Sequence, residues 1–317
     1  MRVVYLADQL QAEAGEGLGV AQFDVAIIGA GPAGSAAAIF LARKGYSVAV
    51  IDKQQFPREK LCGDFINPAN WPLFRKLGVE EEILSNPHEK ITTFRISSLS
   101  GDDIEVPLTS EATRFGLGLR RASLDHVLLK KAASEGATLF QKSTVNALTK
   151  ARKGWDLTIA NSETVKELNA RMLIGADGRN SWVAHHLGLA GGAAARKRSI
   201  GFQLRLKSSG LAGGVEVHLF PGGYAGVVGV GNNMLNLACA ISPSLLFQRG
   251  VKPLTEKIPP LQRGIKGDLT WLETCLSQNP RLREILGRSE RAGRVRSVYP
   301  VYFSPRRPYA DGVLLAG

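Results

Sequence analysis

The clearest pattern in the chain is a short apolar run, a glycine-rich turn, a stretch of helix formers and a second apolar run. Residues 25–28 form the first run, which is typical of a strand buried in a parallel sheet. Residues 33–44 are rich in alanine and other helix formers, and Gly45 is placed to end that helix. Residues 47–51 form the second run. The order strand, helix, strand predicts a βαβ unit.

Helical and strand periodicities continue along the rest of the chain. Apolar residues recur at helical spacing over residues 124–132, which predicts a second helix. Residues 155–159 alternate between apolar and polar side chains before an Asn-Ser turn, which predicts a hairpin. From Ile200 onward, strict alternation with short turns predicts an antiparallel sheet. Residues 272–285 favour helix apart from a break at Pro280.

Composition narrows the class of protein. The 317 residues are 44% hydrophobic and 21% charged, which is ordinary for a globular protein, and the net charge is +12. A basic balance suits nucleic acid, a membrane surface or acidic ligands. Because no zinc-finger or RNA-binding signature accompanies the short basic clusters, we expect no nucleic-acid partner. We assign the charge to a solvated surface, with attraction to an anionic cofactor or lipid as the alternative.

The number of cysteines and the hydropathy of the chain indicate the cellular compartment in which the protein is expected. The three scattered cysteines are too few for a disulfide framework or a zinc site, so we expect a reducing, cytoplasmic setting and no metal. No apolar segment has the length and purity of a transmembrane helix, and residues 1–22 lack the apolar core of a signal peptide. We interpret residues 1–22 as an N-terminal extension. Peripheral contact with a membrane or lipid is the alternative to a fully cytoplasmic protein.

A candidate nucleotide site lies at the turn of the βαβ unit. Gly29, Gly31 and Gly34 have the Gly-x-Gly-x-x-Gly spacing that permits a tight turn, close approach of a pyrophosphate and close helix–strand packing. The helix that follows offers N–H donors and a positive dipole to phosphates. Asp52 ends the second strand, 18 residues after Gly34, where a carboxylate accepts hydrogen bonds from ribose hydroxyls and disfavours a 2′-phosphate. The pattern therefore predicts NAD or FAD, against the alternative of an ordinary glycine turn.

A second motif distinguishes these cofactors. The segment "GADGRNSWV", residues 175–183, again places glycines and an acid at a strand end before a helix. Together the two motifs resemble the flavin monooxygenase and geranylgeranyl reductase superfamily, which includes p-hydroxybenzoate hydroxylase-like enzymes and has the pattern G-A-D-G-x-x-S-x-V-R here. The resemblance implies that Asp177 and Gly178 contact FAD and that Asp177 contributes to nicotinamide binding. Ala184 stands where the family usually has arginine.

Other segments carry the same resemblance. The helix at Arg121 is similar to the family's R-x-x-(hydrophobic)-D helix, which implies that Arg121 contacts the flavin phosphates. The segment "FPREKLCGD", residues 56–64, is similar to the R-x-K-x-C-G segment of the reductase branch, close to the isoalloxazine. The cofactor contacts implied in this way also include Ala33, Lys53, Arg58, Cys62, Gly63 and Val145.

Cys62 and Asp64 are the candidate catalytic residues. The reductase branch implies that Cys62 is a proton donor or positioning group beside the flavin, and that Asp64 shapes the same pocket. The alternative for Cys62 is a small, buried, apolar role. For Glu216 and His218 we expect a polar surface face, with a substrate contact as the alternative.

The substrate sheet and the domain boundaries also follow from the resemblance. The segment "PGGYAGVVGVGNNMLNLACAI" is similar to the reductase branch's substrate sheet, although Gly226, Val228 and Gly229 replace its Trp, Phe and Pro, so we expect a different substrate wall. The implied fold is α/β: a Rossmann-like FAD-binding βαβ domain with an interleaved antiparallel-sheet substrate domain. We assign residues 23–90, 118–190 and 293–317 to the first domain, and residues 91–117 and 191–292 to the second.

The last seven residues, "DGVLLAG", resemble the family's third fingerprint, which continues G-D-A-A-G. Gly317 is the counterpart of the glycine before that Asp, which in the family binds the FAD ribityl and pyrophosphate. We therefore expect contacts to the adenine half of FAD to be present and those to the flavin half to be cut, as in a truncated chain, a fragment or the product of a decayed gene. The alternative is a natural short form that needs no helix after this strand.

Three functional hypotheses remain. The first is an FAD-dependent oxidoreductase that takes hydride from a transiently bound NAD(P)H and reduces a small, hydrophobic, unsaturated substrate. The second is a flavin monooxygenase that hydroxylates an aromatic or polyketide-like substrate. The third is a truncated, non-catalytic remnant with weak FAD binding. A disulfide reductase is excluded because the chain has one dinucleotide fingerprint and no C-x-x-C pair.

Overall fold

The computed structural model describes residues 20–108, 114–191, 199–208, 211, 213–247, 270–301 and 305–316. The strands are β1 Ala21–Ile28, β2 Val48–Ile51, β3 Phe65–Ile66, β4 His88–Ile91, β5 Thr93–Ser97, β6 Asp103–Pro107, β7 Gly116–Leu119, β8 Thr138–Phe140, β9 Thr144–Ala151, β10 Gly154–Ala160, β11 Val165–Gly175, β12 Ser199–Lys207, β13 Gly214–Phe220, β14 Gly223–Gly229, β15 Met234–Ile241, β16 Glu290–Arg291, β17 Arg296–Val301, β18 Tyr309–Ala310 and β19 Val313–Leu315. The helices are α1 Pro32–Arg43, α2 Trp71–Leu77, α3 Glu80–Leu84, α4 Arg121–Ser134, α5 Trp182–His186, α6 Ser244–Phe247, α7 Thr270–Leu276 and α8 Pro280–Gly287. Among these described helices, none has the length and apolar character needed to span a membrane.

The chain divides into two compact, interleaved units. The first takes residues 1–58, 122–193 and 303–317, and the second takes residues 59–121 and 194–302. Residues 59–90, 118–121 and 293–302, which we assigned from the sequence to the FAD-binding domain, therefore group with the second unit. The reason is strand pairing: β3 and β4 pair with β7, and β17 pairs with β12.

Part of the assigned N-terminal extension and the last residue lie outside the described residues. Residues 1–19 and Gly317 are not described, whereas β1 begins at Ala21, inside the segment that we interpreted from the sequence as the extension.

A parallel sheet forms the centre of the first unit, with the strand order β8–β2–β1–β11–β19. β2 is buried along its whole length and β1 over its last four residues, as expected for strands covered on both faces. β1, α1 and β2 confirm the predicted βαβ unit. α1 turns Gly34, Ser35, Ala38 and Ile39 inward, and three of these are small enough to let the helix lie close to its neighbours.

The carboxyl ends of three neighbouring parallel strands lie at one edge of this sheet. Ile28 is in register with Gly175, and Gly175 with Leu315. The N–H of Ala176 donates to the carbonyl of Ile28 at 2.7 Å, and that of Ala316 donates to the carbonyl of Gly175 at 2.9 Å. In open α/β sheets, ligands bind at the carboxyl ends of the strands.

The predicted hairpin extends the same sheet on an antiparallel side. β10 pairs with β11 and with β9, and its side chains Trp155, Leu157 and Ile159 are buried in the core of the first unit. The turn is held by the Asn161 side chain, which accepts hydrogen bonds from the N–H groups of residues 163 and 164.

The second unit contains the predicted antiparallel sheet. Its order is β12–β15–β14–β13–β5–β6, with β16 and β17 both paired to β12, and only the β13–β5 pair among these is parallel. One sheet face packs against α7 and α8, and the core there includes Phe202, Leu204, Leu237, Leu272 and Leu282. α7 ends at Leu276 and α8 begins at Pro280, which confirms the predicted break.

The polar positions of this sheet are buried, so the surface face expected for Glu216 and His218 is wrong. Glu216 is 3% and His218 is 0% exposed. Arg281 of α8 donates from Nε and Nη2 to the two Glu216 oxygens at 3.2 and 3.1 Å. The Ser97 hydroxyl lies 2.8 Å from His218 Nδ1. Burial lowers the pKa of His218 to about 4, although the neighbouring Glu216 opposes the shift.

Candidate functional site

The glycine turn between β1 and α1 makes two close backbone contacts, one with the end of β11 and one within the turn itself. Gly29 has φ +106°, and a Cβ atom there would lie 2.3 Å from the Ala176 carbonyl oxygen. A Cβ atom on Gly34 would lie 1.9 Å from the Gly29 carbonyl oxygen. Both distances are far inside van der Waals contact, so the packing of the protein itself requires glycine at these two positions.

Gly31 has a different environment. Its φ of −72° is open to any residue, and the nearest described atom to a Cβ there is Arg58 Nη2 at 3.8 Å. Neither backbone strain nor packing against described atoms requires a glycine. Gly31 is the N-cap of α1, where Pro32 begins the helix and no described side chain caps the first-turn N–H groups. A ligand that approaches this backbone closely accounts for the glycine, and a helix N-terminus suits phosphate.

Asp52 lies against the same turn. Its Oδ2 accepts a hydrogen bond from the N–H of Ala30 at 2.9 Å, and its Oδ1 accepts from the N–H of Gln54 at 2.8 Å. A carboxylate has further acceptor capacity on both oxygens, so these bonds fix its orientation while leaving lone pairs for ribose hydroxyls. Lys53 beside it is exposed.

Arg58 brings a positive charge to the turn. Its Nη1 lies 3.1 Å from Asp125 Oδ2, and its guanidinium stacks over the Phe56 ring at 4.6 Å. Asp125 is fully buried on α4, so this ion pair fixes the arginine with Nη2 facing Gly31. Asp125 is the acid of the R-x-x-(hydrophobic)-D pattern that begins at Arg121. The resemblance gave a role to Arg121 alone, so the ion pair between Arg58 and Asp125 was not predicted.

Asp177 reaches the turn from the end of β11. A Cβ atom on Gly29 would lie 2.7 Å from the Asp177 N atom, so the two residues are in direct contact. Asp177 Oδ2 accepts from the N–H of Val183 at 3.1 Å, whereas Oδ1 is buried without a hydrogen-bond partner among the described residues. Asp52 and Asp177 thus flank the same glycine turn. Asp177 also has an acceptor oxygen available to a hydrogen-bond donor of a ligand.

The loop after Asp177 is also fixed. Gly178 has φ +84°, and its carbonyl oxygen accepts a hydrogen bond from Arg306 Nη1 at 3.0 Å. Arg306 Nη2 donates to the carbonyl of Arg179. The fit of a dinucleotide therefore rests on Gly31, Arg58 and the unpartnered Asp177 oxygen, which are compatible with a pyrophosphate and a hydroxyl-bearing chain.

In the second unit, Cys62 belongs to a turn that polar residues of the sheet hold in place. Its carbonyl oxygen accepts hydrogen bonds from Gln203 Nε2 at 3.0 Å and from Asn236 Nδ2 at 2.9 Å. Asp64, with φ +58°, is buried and accepts from Arg205 Nη1 at 2.5 Å. Burial raises the pKa of Asp64, and its ion pair with Arg205 opposes this shift without cancelling it.

The Cys62 thiol faces a cation. Cys62 is half-buried, and Arg121 Nη1 lies 3.6 Å from its Sγ atom. The N–H of Arg121 also donates to Asp64 Oδ1 at 3.2 Å. The phosphate contact implied for Arg121 stays a prediction, since Arg58 is the arginine that the described contacts place beside Gly31.

The remaining predicted site residues have simpler surroundings. Val145 is buried on β9, Ala33 is half-buried in the first turn of α1, and Gly63 has open space around its Cα atom. Gly317 lies outside the described residues.

A glycine turn at the start of a helix, flanked by two strand-end carboxylates and an arginine, defines the first unit as a dinucleotide-binding α/β protein. The chain belongs to the FAD binding domain family, which matches residues 22–218. This agrees with the resemblance to FAD-dependent oxidoreductases and with the predicted α/β fold class.

Relatives and solved structures extend this finding. The chain is 34% identical over 168 residues to a menaquinone reductase of Mycobacterium tuberculosis (strain ATCC 25618 / H37Rv), which covers 52% of this chain and 40% of the relative. The chain thus spans well under half the length of this curated relative. A myxobacterial chondrochloren halogenase has a similar fold, with a TM-score of 0.78 at 18% identity over 93% of this chain and 68% of that chain. A geranylgeranyl bacteriochlorophyll reductase-like protein from Thermoplasma acidophilum gives a TM-score of 0.74 at 20% identity over 94% and 71%.

Proposed function

We propose that the chain is an FAD-dependent oxidoreductase that uses NAD(P)H to reduce a hydrophobic, unsaturated substrate of the quinone or polyene class. The observation that carries the FAD-binding part is Gly31, a glycine that the fold does not require, facing an anchored arginine. The similarity to a menaquinone reductase supports the reductive direction.

The residues of the first unit have distinct roles in holding FAD. The N–H groups at the start of α1 and the Arg58 guanidinium neutralise the pyrophosphate. Asp52 accepts hydrogen bonds from ribose hydroxyls, and Asp177 Oδ1 accepts one from the ligand. When bound, FAD supplies hydride transfer.

The Cys62 turn of the second unit supplies a proton in this proposal. Saturation of a C=C bond needs one hydride and one proton, and the Cys62 thiol provides the proton while Arg121 orients the sulfur atom. The bonds from Gln203 and Asn236 keep the turn in one conformation, which limits the reorganisation needed when substrate binds.

An anaerobic assay tests the proposal. The chain, reconstituted with FAD, is mixed with NADPH or NADH and menaquinone without oxygen, and oxidation of the nicotinamide is followed by absorbance. We expect menaquinone-dependent oxidation, with kcat lowered at least tenfold by Cys62→Ser and unchanged by Cys275→Ser. Turnover that appears only with oxygen would replace the proposal with the monooxygenase hypothesis. Failure to take up FAD would favour the non-catalytic remnant.

A further inference from the structure

The second unit contains a cavity of about 240 Å³ with an unusual concentration of arginine side chains. Arg120, Arg205, Arg294 and Arg296 line it, together with Glu59 and a few apolar or small residues. The cofactor assignments above leave the cavity without a role.

Arg205 is the most buried of these arginines. Its side chain is 9% exposed, and Nη1 binds Asp64 and Asn236 at 2.5 and 2.9 Å. Its Nε and Nη2 atoms are buried and have no hydrogen-bond partner among the described residues. Leaving charged donors unsatisfied in a protein interior is costly, and Arg205, which is one of the residues that line the cavity, brings a buried positive charge with unused donor capacity to this part of the unit.

The charge balance of the cavity favours an anion. Burial raises the pKa of Glu59, but Arg120, Arg296 and Arg205 together outweigh it, so the pKa is lowered and the carboxylate is ionised. Glu59 accepts from Arg120 Nη2 and lies 3.7 and 3.8 Å from the guanidiniums of Arg205 and Arg296. The Glu59 carboxylate is therefore shared among three arginines of the cavity wall. The fourth, Arg294, has no ion pair within the described part of the chain.

We infer that this cavity binds a phosphoryl group, as a phosphate monoester or a diphosphate. Guanidinium groups donate in a planar fork that matches phosphate oxygens, and several around one cavity suit a multiply charged anion better than a single carboxylate. Through Asp64, Arg205 also joins the cavity to the Cys62 turn. If the proposed function holds, the phosphoryl group belongs to the nicotinamide donor or to the substrate.

Titration with inorganic pyrophosphate tests the site directly. Calorimetry on the FAD-loaded full chain is compared between wild type, the double variant Arg294→Gln/Arg296→Gln and the control Arg288→Gln. Arg294 is exposed and Arg296 is 37% exposed at its side chain, so both changes leave the core intact. Arg288 lies outside the cavity and pairs with Glu284.

We expect the double variant to weaken pyrophosphate binding at least tenfold and the control to change it less than twofold. Equal binding by wild type and the double variant, or no binding by wild type, would overturn the inference.

Two ligand pairs then identify the source of the phosphoryl group. A loss of NADPH affinity in the double variant with unchanged NADH affinity assigns the site to the 2′-phosphate of the donor. If dodecyl phosphate competes with pyrophosphate, dodecanol does not, and the competition is lost in the double variant, the site is assigned to a phosphorylated substrate. Normal FAD uptake without a pyrophosphate response rejects this inference alone, whereas failed FAD uptake rejects the proposed function.

Discussion

Replacing Gly31 and Gly34 by alanine, one at a time, separates a glycine kept for a ligand from one kept for packing. In Gly34→Ala, the new Cβ would lie 1.9 Å from the Gly29 carbonyl oxygen, far inside any normal contact, and both atoms belong to backbone-fixed positions. Overpacking of this kind costs about 3 kcal/mol. For a chain of 317 residues, with an unfolding entropy of about 2.1 cal/mol/K per residue, such a loss lowers Tm by roughly 4–5 °C.

Gly31→Ala has the opposite expectation for the ligand-free chain. The backbone is at φ −72° and the nearest described atom is 3.8 Å away, so alanine fits and lowers the entropy of the unfolded chain. Unfolding free energy is expected to change by less than about 1 kcal/mol, because this gain is offset by the poorer preference of alanine for the N-cap position. FAD affinity is expected to fall at least tenfold, or about 1.4 kcal/mol, because the methyl group occupies the approach of the pyrophosphate.

Thermal unfolding without ligand and flavin fluorescence titration measure the two quantities separately. We expect Gly34→Ala to lose stability and Gly31→Ala to lose affinity alone. Wild-type FAD affinity in Gly31→Ala would refute the reasoning, since the open space at Gly31 would then have no relation to a ligand.

Three further predictions follow from buried or exposed groups. Arg58→Met is expected to lower the unfolding free energy by about 2 kcal/mol in urea titrations, since it removes the cation 3.1 Å from the fully buried Asp125 carboxylate, whereas Arg43→Met, which breaks a surface pair, costs under about 1 kcal/mol. The pKa of His218 is lowered to about 4 in the folded chain, so between pH 6.5 and 4 the unfolded chain binds one more proton than the folded chain. Over that pH range the unfolding free energy of wild type is expected to fall by about 3 kcal/mol more than that of His218→Gln. Equal losses in the two proteins would contradict this prediction. Iodoacetamide is expected to label half-buried Cys62 well before the two buried cysteines, as measured by mass spectrometry. Equal labelling rates would show that the Cys62 thiol is no more accessible to solvent than the other two.

The glycine turn was predictable because its determinants are local. One βαβ unit contains all of them: Gly29, Gly31, Gly34 and Asp52. The structure brings the Asp52 side chain against the glycine turn, as the pattern indicates. The contact between Gly29 and Asp177 is long-range, yet it follows from the rule that parallel strands end at a common edge.

The burial of the polar sheet faces was not predictable in this way. Alternation in β12 and β13 identifies two faces but does not say what covers the polar one. His218 is fully buried beside Ser97, which is bonded to Asn279 at the start of α8. Gln203 binds the turn at Cys62, 141 positions earlier in the chain. The Arg58–Asp125 pair was missed for the same reason, since a loop arginine and a helix carboxylate carry no pattern that joins them.

The most direct test of FAD binding at the glycine turn is a titration of the full chain with FAD, followed by the quenching of flavin fluorescence, with Asp177→Asn alongside. In wild type, Asp177 Oδ2 accepts from the N–H of Val183 and Oδ1 is left as an acceptor for the ligand. In the variant, the amide oxygen keeps the bond to Val183, and the NH₂ group, which is a donor, replaces Oδ1. We expect one FAD bound per wild-type chain and at least tenfold weaker binding by the variant. Flavin that stays free in solution with wild type, or binds equally to both, would contradict this assignment.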